Sequence, residues 1–494
     1  MIGVLSMKGI FLKNMIKVRF LKIVCVVIVI ALLVPAIVSC RKNESEVDNT
    51  ETSDSIETNQ GEFSGVPIPY TDDFEGYQFK VLTRGGGDWQ SSDITADLTG
   101  NIVDQAVYTR NANLKNKYNF EIVEIKHDNW NEHARTIGEA GEAAYDMWSF
   151  TMRQMASLGQ EGYLYNLNEV DGINLSAPYY DQNTVRDASF ANYLFFLTGD
   201  LLTMDDIATT CTLVNSDIWD ELKLDEEVGD IYELVTNKKW TFEKLKLCAQ
   251  KATFISTGGS SMTKDDNWGG AAQTGHIANF YIAFGHDILQ KNTDDTLYLN
   301  ESDKLVSDLQ EILGYLGGNE HYWRGDWGDL FKYGKQLFWY ASIHEVPRMQ
   351  DAGMDFFVVP NPLYDEGQES YHSYVTAYGS NCITICSTVK NIDLVASIIE
   401  LASYESMNTV TPKFVEYVIG GRIIDNPEDA EMLQIVLDTQ TYALTDLWST
   451  GSIGNSLGTL LENKSTDVAS AFAEARDSVT SSVQRKLERL NRLG

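Results

Sequence analysis

Phe79-Lys80-Val81-Leu82-Thr83, then Asn101 to Tyr118, then Phe120-Glu121-Ile122-Val123-Glu124-Ile125, is the stretch that decides the fold. The first run reads as a short buried strand. From Asn101 onward Val103, Ala106, Val107, Leu114 and Tyr118 recur at helical spacing. Asn119 suits a left-handed C-cap, and Phe120 to Ile125 reads as the next strand. A strand, a helix and a second strand in this order predict a parallel pair with a right-handed crossover. After a further helix, Asp146-Met147-Trp148-Ser149-Phe150 predicts a third strand.

The alternation continues downstream. Tyr193 to Leu197, Thr209 to Val214, Leu337 to Tyr340, Phe356 to Val359 and Asn381 to Cys386 read as strands. Helices are predicted from Thr241, a candidate N-cap, over Ser302 to Leu316, and from Asp393 to about Tyr404. A final helix places Val468, Phe472, Ala475, Val479, Val483 and Leu487 on one face. The class is therefore α/β with mainly parallel sheets.

Upstream, Lys13, Lys17, Arg19 and Lys22 precede the uninterrupted apolar run Ile23 to Val34. Pro35 and Ile37-Val38-Ser39-Cys40 follow. This is the layout of a bacterial lipoprotein export signal, with Cys40 the lipidated residue and Ile37 where Leu is preferred. Residues 41–64 are rich in Ser, Thr, Asn, Glu and Asp. They cannot bury enough apolar surface to offset their ordering entropy, so residues 40–64 are expected to be a flexible tether.

The formal net charge is −33; residues 1–39 hold five Lys/Arg and no Asp/Glu, so the remainder carries −38. So acidic a surface repels phosphate backbones and anionic ligands, unless a local basic pocket exists. Nucleic acid is thereby a poor partner. Cys211, Cys248, Cys382 and Cys386 read as small buried residues. In a strand, Cys382 and Cys386 would lie roughly 13 Å apart, too far for a disulfide. No zinc spacing, His-Glu-x-x-His, nucleophile elbow or phosphate loop occurs, and no cofactor is implied.

A set of motifs in order resembles the clostridial-type extracellular solute-binding proteins of family 1, lipoproteins that deliver sugars to ABC importers. The set runs from Ile102-Val103-Asp104-Gln105-Ala106-Val107-Tyr108-Thr109-Arg110-Asn111 to Lys117-Tyr118-Asn119. It continues through Leu164-Tyr165-Asn166-Leu167-Asn168, Pro178-Tyr179-Tyr180-Asp181 and Leu197-Thr198-Gly199-Asp200. Val214-Asn215, Lys239-Trp240-Thr241-Phe242 and Asp429-Ala430-Glu431-Met432-Leu433 complete it. Phe190-Ala191-Asn192 departs from the family's Gly-Lys-Leu/Tyr turn.

The resemblance implies a two-lobed, periplasmic-binding-protein-like type II fold with a hinge and an interlobe ligand cleft. Residues 65–200 plus 335–378 would form one lobe, and 201–334 plus 379–494 the other. It also implies a monomer at the extracellular face of the membrane, held by its N-terminal lipid, with ABC permease subunits as partners and no enzymatic activity. A membrane-tethered carbohydrate-active hydrolase is the alternative; it would need a carboxylate pair.

A sugar cleft needs flat aromatics for C–H faces and planar polar groups for hydroxyls. The chain has 10 Trp and 24 Tyr, so position must choose among them. Arg84, Asp88 and Trp89 follow the first strand in a Gly-rich loop, and Trp148 ends the third strand. Asp200 sits at the first crossing between lobes, and Trp268 in what reads as a turn-like loop. Trp339 and Tyr340 end a strand, and Tyr378 stands beside Gly379 at the next crossing. Core packing competes with ligand contact at each of these positions.

Overall fold

Strand β1 (Tyr77–Arg84), helix α1 (Ile102–Tyr118) and strand β2 (Phe120–His127) form the expected unit. The computed structural model describes residues 73–86, 92–317, 322–324, 328–419, 427–449 and 453–493. The two strands pair in parallel from Tyr77↔Phe120 to Arg84↔His127. Asn101 begins α1 with a capping box: its side chain accepts from the Val103 and Asp104 amides, and Asp104 accepts from the Asn101 amide. Asn119 ends it at φ 56°, in the left-handed region. Helix α2 (Trp130–Ala140) leads to β3 (Met147–Ser149), parallel to β1 on its other side. The three-stranded order β2-β1-β3 thus centres β1, and α3 (Met152–Gln160) follows β3.

The second sheet takes its strands from the middle of the chain. These are β4 (Thr210–Asn215), β5 (Trp268–Ala272), β8 (Tyr322–Arg324), β9 (Gln336–Ser342) and β10 (Phe356–Val359). A small hairpin, β6 (Leu289–Lys291) and β7 (Leu297–Leu299), stands apart. The order is β10-β4-β9-β5-β8. This sheet is mixed, not mainly parallel: β4 runs antiparallel to β9 and β10, while β5 is parallel to β9 and β8.

Both faces are covered, which explains the continuous apolar runs. Along β9, Phe338 and Tyr340 enter the larger core, while Trp339 and Ala341 face a second cluster with Phe331, Phe356 and Phe414. Helix α4 (His276–Ala283) follows β5.

Three further expectations need correction. Trp268-Gly269-Gly270 is not a turn but the start of β5. Its glycines allow close packing: a Cβ on Gly269 would lie 2.5 Å from the Ala249 carbonyl oxygen, and one on Gly270 would lie 2.3 Å from the Tyr322 ring. Residues 193–197 and 381–386 form isolated bridges, Leu197↔Ile383 among them, not full strands. Segment 335–378 does not join the first sheet, because β9 and β10 pair with β4. Segment 381–386 instead bridges to 193–197, and helix α5 (Ile392–Ile419), longer than predicted, packs along α1.

The halves are joined where β11 (Ser373–Val375) and β12 (Gln440–Tyr442) pair in parallel and Val375 bridges Thr209. Helices α6 (Leu444–Trp448) and α7 (Val468–Leu490) close the chain. On α7, Val468, Phe472, Ala475, Val479 and Val483 are buried at the predicted spacing, and Leu487 is half-buried. All four described cysteines are buried and free. Thr241 precedes its helix in extended backbone but makes no side-chain cap bond.

A candidate ligand site where the two halves meet

Ligands of open α/β sheets bind beyond the carboxyl ends of parallel strands. At that end of β1 stands Arg84, half-buried; its Nη2 donates to the Gly379 carbonyl at 3.2 Å and to Asn381 Oδ1 at 2.9 Å. Burial pulls its guanidinium below the usual range. Arg84 thus pins the turn at 379–381 to the first sheet. At the same end of β3 the chain enters α3, whose first turn carries Arg153. Arg153 donates to the Tyr378 hydroxyl, and its guanidinium carbon lies 5.1 Å from that ring's centre. The two arginines straddle residues 378–381, and Tyr378 is 55% exposed.

The other wall comes from the second half. Tyr281 of α4 is buried, and burial pushes its hydroxyl well up, helped by Asp446, Asp287 and Tyr378. Tyr374 of β11 donates to Asp446 of α6. Burial raises the Asp446 carboxyl, while the Tyr374 bond and the charge of Arg153 pull it back. Lys486 of α7 lies near Arg153; burial first, then Arg489, Arg153 and Arg485, pull its ammonium down to about 8. A flat exposed ring, guanidinium donors and buried hydroxyls therefore converge at one junction. These groups suit a polyhydroxylated ring with apolar faces.

Of the residues expected from sequence, Arg84 and Tyr378 come together here. Asp88, Trp89 and Cys40 lie outside the described residues. Trp148, Trp268, Trp339 and Tyr340 are corrected to core positions, none more than 6% exposed. Trp148 packs edge-on to Tyr163, and Trp268 donates its indole N–H to the Thr263 carbonyl at 2.9 Å. Trp339 tilts against Phe331, and the Tyr340 hydroxyl bonds that of Tyr322 at 2.6 Å. Arg153, Asn381, Tyr281, Tyr374, Asp446 and Lys486 were missed. For Arg153 a signal existed: it lies four residues past the end of the third strand, in the first turn of α3, on the side where Arg84 ends the first.

Asp200 belongs to a different place, a cavity of about 350 Å³ at the crossing, which Asp181, Asp205, Asp206, Asp438 and Gln440 also line. Gly199 makes that turn at φ 152°, where a Cβ would sit 2.1 Å from the Tyr179 carbonyl oxygen. Asp200 accepts from the Thr411 hydroxyl at 2.5 Å, and burial pushes it up to about 6. Among the described residues no three His, Cys, Asp or Glu converge to hold a metal. A cavity of about 710 Å³ is lined by Arg186, His286 and Lys291. Arg186 and Lys291 there already pair with Asp187 and Asp295, and His286 is hydrogen-bonded to Asp308.

No protein-family model and no curated protein matches the chain. Solved structures do. A cyclic alpha-maltosyl-1,6-maltose binding protein from Arthrobacter globiformis shares 12% identity over 83% of this chain and 100% of its own, with a TM-score of 0.58. An ABC substrate-binding protein from Listeria monocytogenes in complex with cycloalternan shares 13% identity over 83% and 100%, at 0.54. An ABC transporter solute binding protein from Thermotoga lettingae bound with alpha-D-tagatose shares 14% over 83% and 100%, at 0.53. The chain therefore has the α/β fold of these solute-binding proteins.

Proposed function

We propose that this chain is an extracellular solute-binding lipoprotein that captures a carbohydrate, of oligosaccharide size, and hands it to an ABC importer without turning it over. The observation that carries the reading is the fold, matched over the whole length of solved proteins whose bound ligands are sugars. The exposed Tyr378 ring beside Arg153, at the junction of the halves, supports it. The test is a thermal-shift screen across oligosaccharides: a ligand at 100 times its dissociation constant stabilises by roughly 2.7 kcal/mol. Scattering on the hit should show a smaller radius of gyration as the lobes close. Steady release of reducing ends from the bound sugar would promote the tethered hydrolase instead.

The tether is part of the proposal. The Ile37-Val38-Ser39-Cys40 stretch supports lipidation at Cys40 and a place at the outer face of the cell membrane. Cys40→Ser is expected to shed mature protein into the medium. Undiminished membrane retention of that variant would refute the anchor.

A further inference from the structure

We propose that Asn381 is a specificity-determining residue of this junction: its amide nitrogen, turned outward by Arg84, donates to a hydroxyl or ring oxygen of a neutral sugar seated on Tyr378. The inference rests on the carbohydrate reading above and names the group that reads the ligand at the same site.

A guanidinium carries donors and no acceptor, so it meets an asparagine amide only at the oxygen. Arg84 Nη2 donates to Asn381 Oδ1 at 2.9 Å, and that bond fixes which end of the amide faces which way. The Nδ2 end is left pointing away from Arg84. Asn381 is 7% exposed, yet among the described residues its Nδ2 meets no acceptor. Nor is this nitrogen sealed inside the protein, as the unpartnered Trp148 indole nitrogen and Ser149 hydroxyl are. It is a donor held in one orientation with nothing to donate to.

The backbone that carries it is fixed from several sides. Arg84 also donates to the Gly379 carbonyl at 3.2 Å, the Met152 amide donates to the Ser380 carbonyl at 3.2 Å, and Asn381 bridges Thr151. Within the turn, the Gly379 and Ser380 amides both donate to the Thr376 carbonyl, at 3.2 and 3.3 Å. Tyr378 rides on this turn three residues before Asn381. Its ring stays largely exposed although Arg153 lies on one side of it. An open ring for the C–H face of a sugar and a fixed N–H donor on the same turn suit a neutral pyranose, whose oxygens accept. A ligand with no acceptor at that place leaves the donor unpaired and is rejected. Arg84 is then a positioning residue: it acts on the ligand through the amide it orients and the turn it holds.

Calorimetry on the mature chain uses four neutral probes: maltotriose, mannotriose, cellotriose and xylotriose. The parent is expected to bind at least one of them. Asn381→Asp keeps the shape and gives Arg84 a charged acceptor, but it replaces the outward donor by an acceptor. Its melting temperature should hold or rise while affinity for the bound probe falls 10-fold or more, and Asn381→Ala should lose a similar factor. Arg84→Gln, whose own amide can face Asn381 either way, should weaken binding, and Arg84→Lys should keep most of it. Arg84→Gln added to Asn381→Ala should cost little beyond Asn381→Ala alone, because the two act as a unit. Undiminished binding by Asn381→Asp and Asn381→Ala would overturn the proposal and leave the carbohydrate reading standing. A loss of binding matched by a fallen melting temperature in both would make Asn381 a structural residue and overturn it equally. Fully additive losses would overturn the positioning role of Arg84. No binding of any probe by the parent would sink the carbohydrate reading and this inference with it.

Discussion

Replacing Arg110 by Met is expected to remove about 4 kcal/mol of stability, enough to leave much of the protein unfolded at 37 °C. Arg110 is 0% exposed, on the inner face of α1. Its Nη2 donates to the Asp93 and Ile94 carbonyls at 2.6 and 3.2 Å, and its Nη1 to Ser406 Oγ and the Leu201 carbonyl at 3.0 and 3.4 Å. One side chain thus ties α1 to segment 92–95, to the first crossing and to α5. Burial pulls its guanidinium down to about 10, against the pull of Asp93 and Glu405, so it stays charged at neutral pH.

Met would fill the space of the stem but remove the guanidinium donors to the Asp93 and Leu201 carbonyls; Ile94 keeps Asn111 Nδ2 at 2.8 Å. Each buried acceptor that loses its donor costs about 1–3 kcal/mol, and the loss of charge-assisted bonds adds to that. A typical domain has only about 5–15 kcal/mol in hand. Arg110→Lys keeps the charge without the fork and should fall between the two. Urea midpoints of the three proteins test this, and a Met variant within about 1 kcal/mol of the parent would show that the network is dispensable.

The first sheet was legible because it is local. Capping by Asn101 and Asn119, the helical spacing of α1 and two apolar strands all lie within about fifty residues, and their physics is that of near neighbours. The second sheet was less so, since its pairings join residues 210–215 to 336–342 and 356–359, and spacing carries no information about such partners. That is why segment 335–378 was expected beside β1. The two glycines after Trp268 resemble a turn, yet they serve contacts with Ala249 and Tyr322 that only the folded sheet reveals.

The site suffered most. Trp148, Trp339 and Tyr340 were sound choices by strand position, but covering both faces of a sheet buries strand-end aromatics too. Tyr378 and Arg84 lie together at the junction because a crossing and a strand's carboxyl end are positions with a physical meaning. The residues around Arg153, at 378, 446 and 486, are distant in sequence, and no local pattern brings them together.

Raising the pH from 5 to 8 is expected to weaken the fold by on the order of 4 kcal/mol, through the carboxyls packed at the first crossing. Asp205 is 3% exposed, and its Oδ1 has no hydrogen-bond partner. Burial raises it well above the carboxylate range, and Asp206 and Asp181 add to that. Burial, then Asp200, raises Asp206. Asp200 itself is pushed up to about 6. The groups facing them are Asp93, Asp181 and Asp438, the hydroxyls of Thr411 and Tyr442, and the Gln440 amide. Arg110 donates to the Asp93 carbonyl at 2.6 Å.

These acids hold protons in the folded state that they release in the unfolded chain, so the folded state binds more protons above pH 4. Stability is then full below the unfolded carboxylate range and falls as pH climbs through the raised values. A shift of one unit is worth 1.36 kcal/mol; within this window Asp200, raised to about 6, contributes about 1 and the buried Asp205–Asp206 pair about 3. Asp205→Asn with Asp206→Asn keeps the shape and removes the titration. That variant should melt more than about 3 °C above the parent at pH 8, with a clearly smaller lead at pH 5. Its advantage must shrink on acidification and vanish only below about pH 4, where the parent's carboxyls are neutral in both the folded and the unfolded state. An equal advantage at both pH values would mean that packing, not charge, is what the asparagines change, and a parent whose melting temperature is flat from pH 5 to 8 would show that the crossing holds its carboxylates ionised without strain.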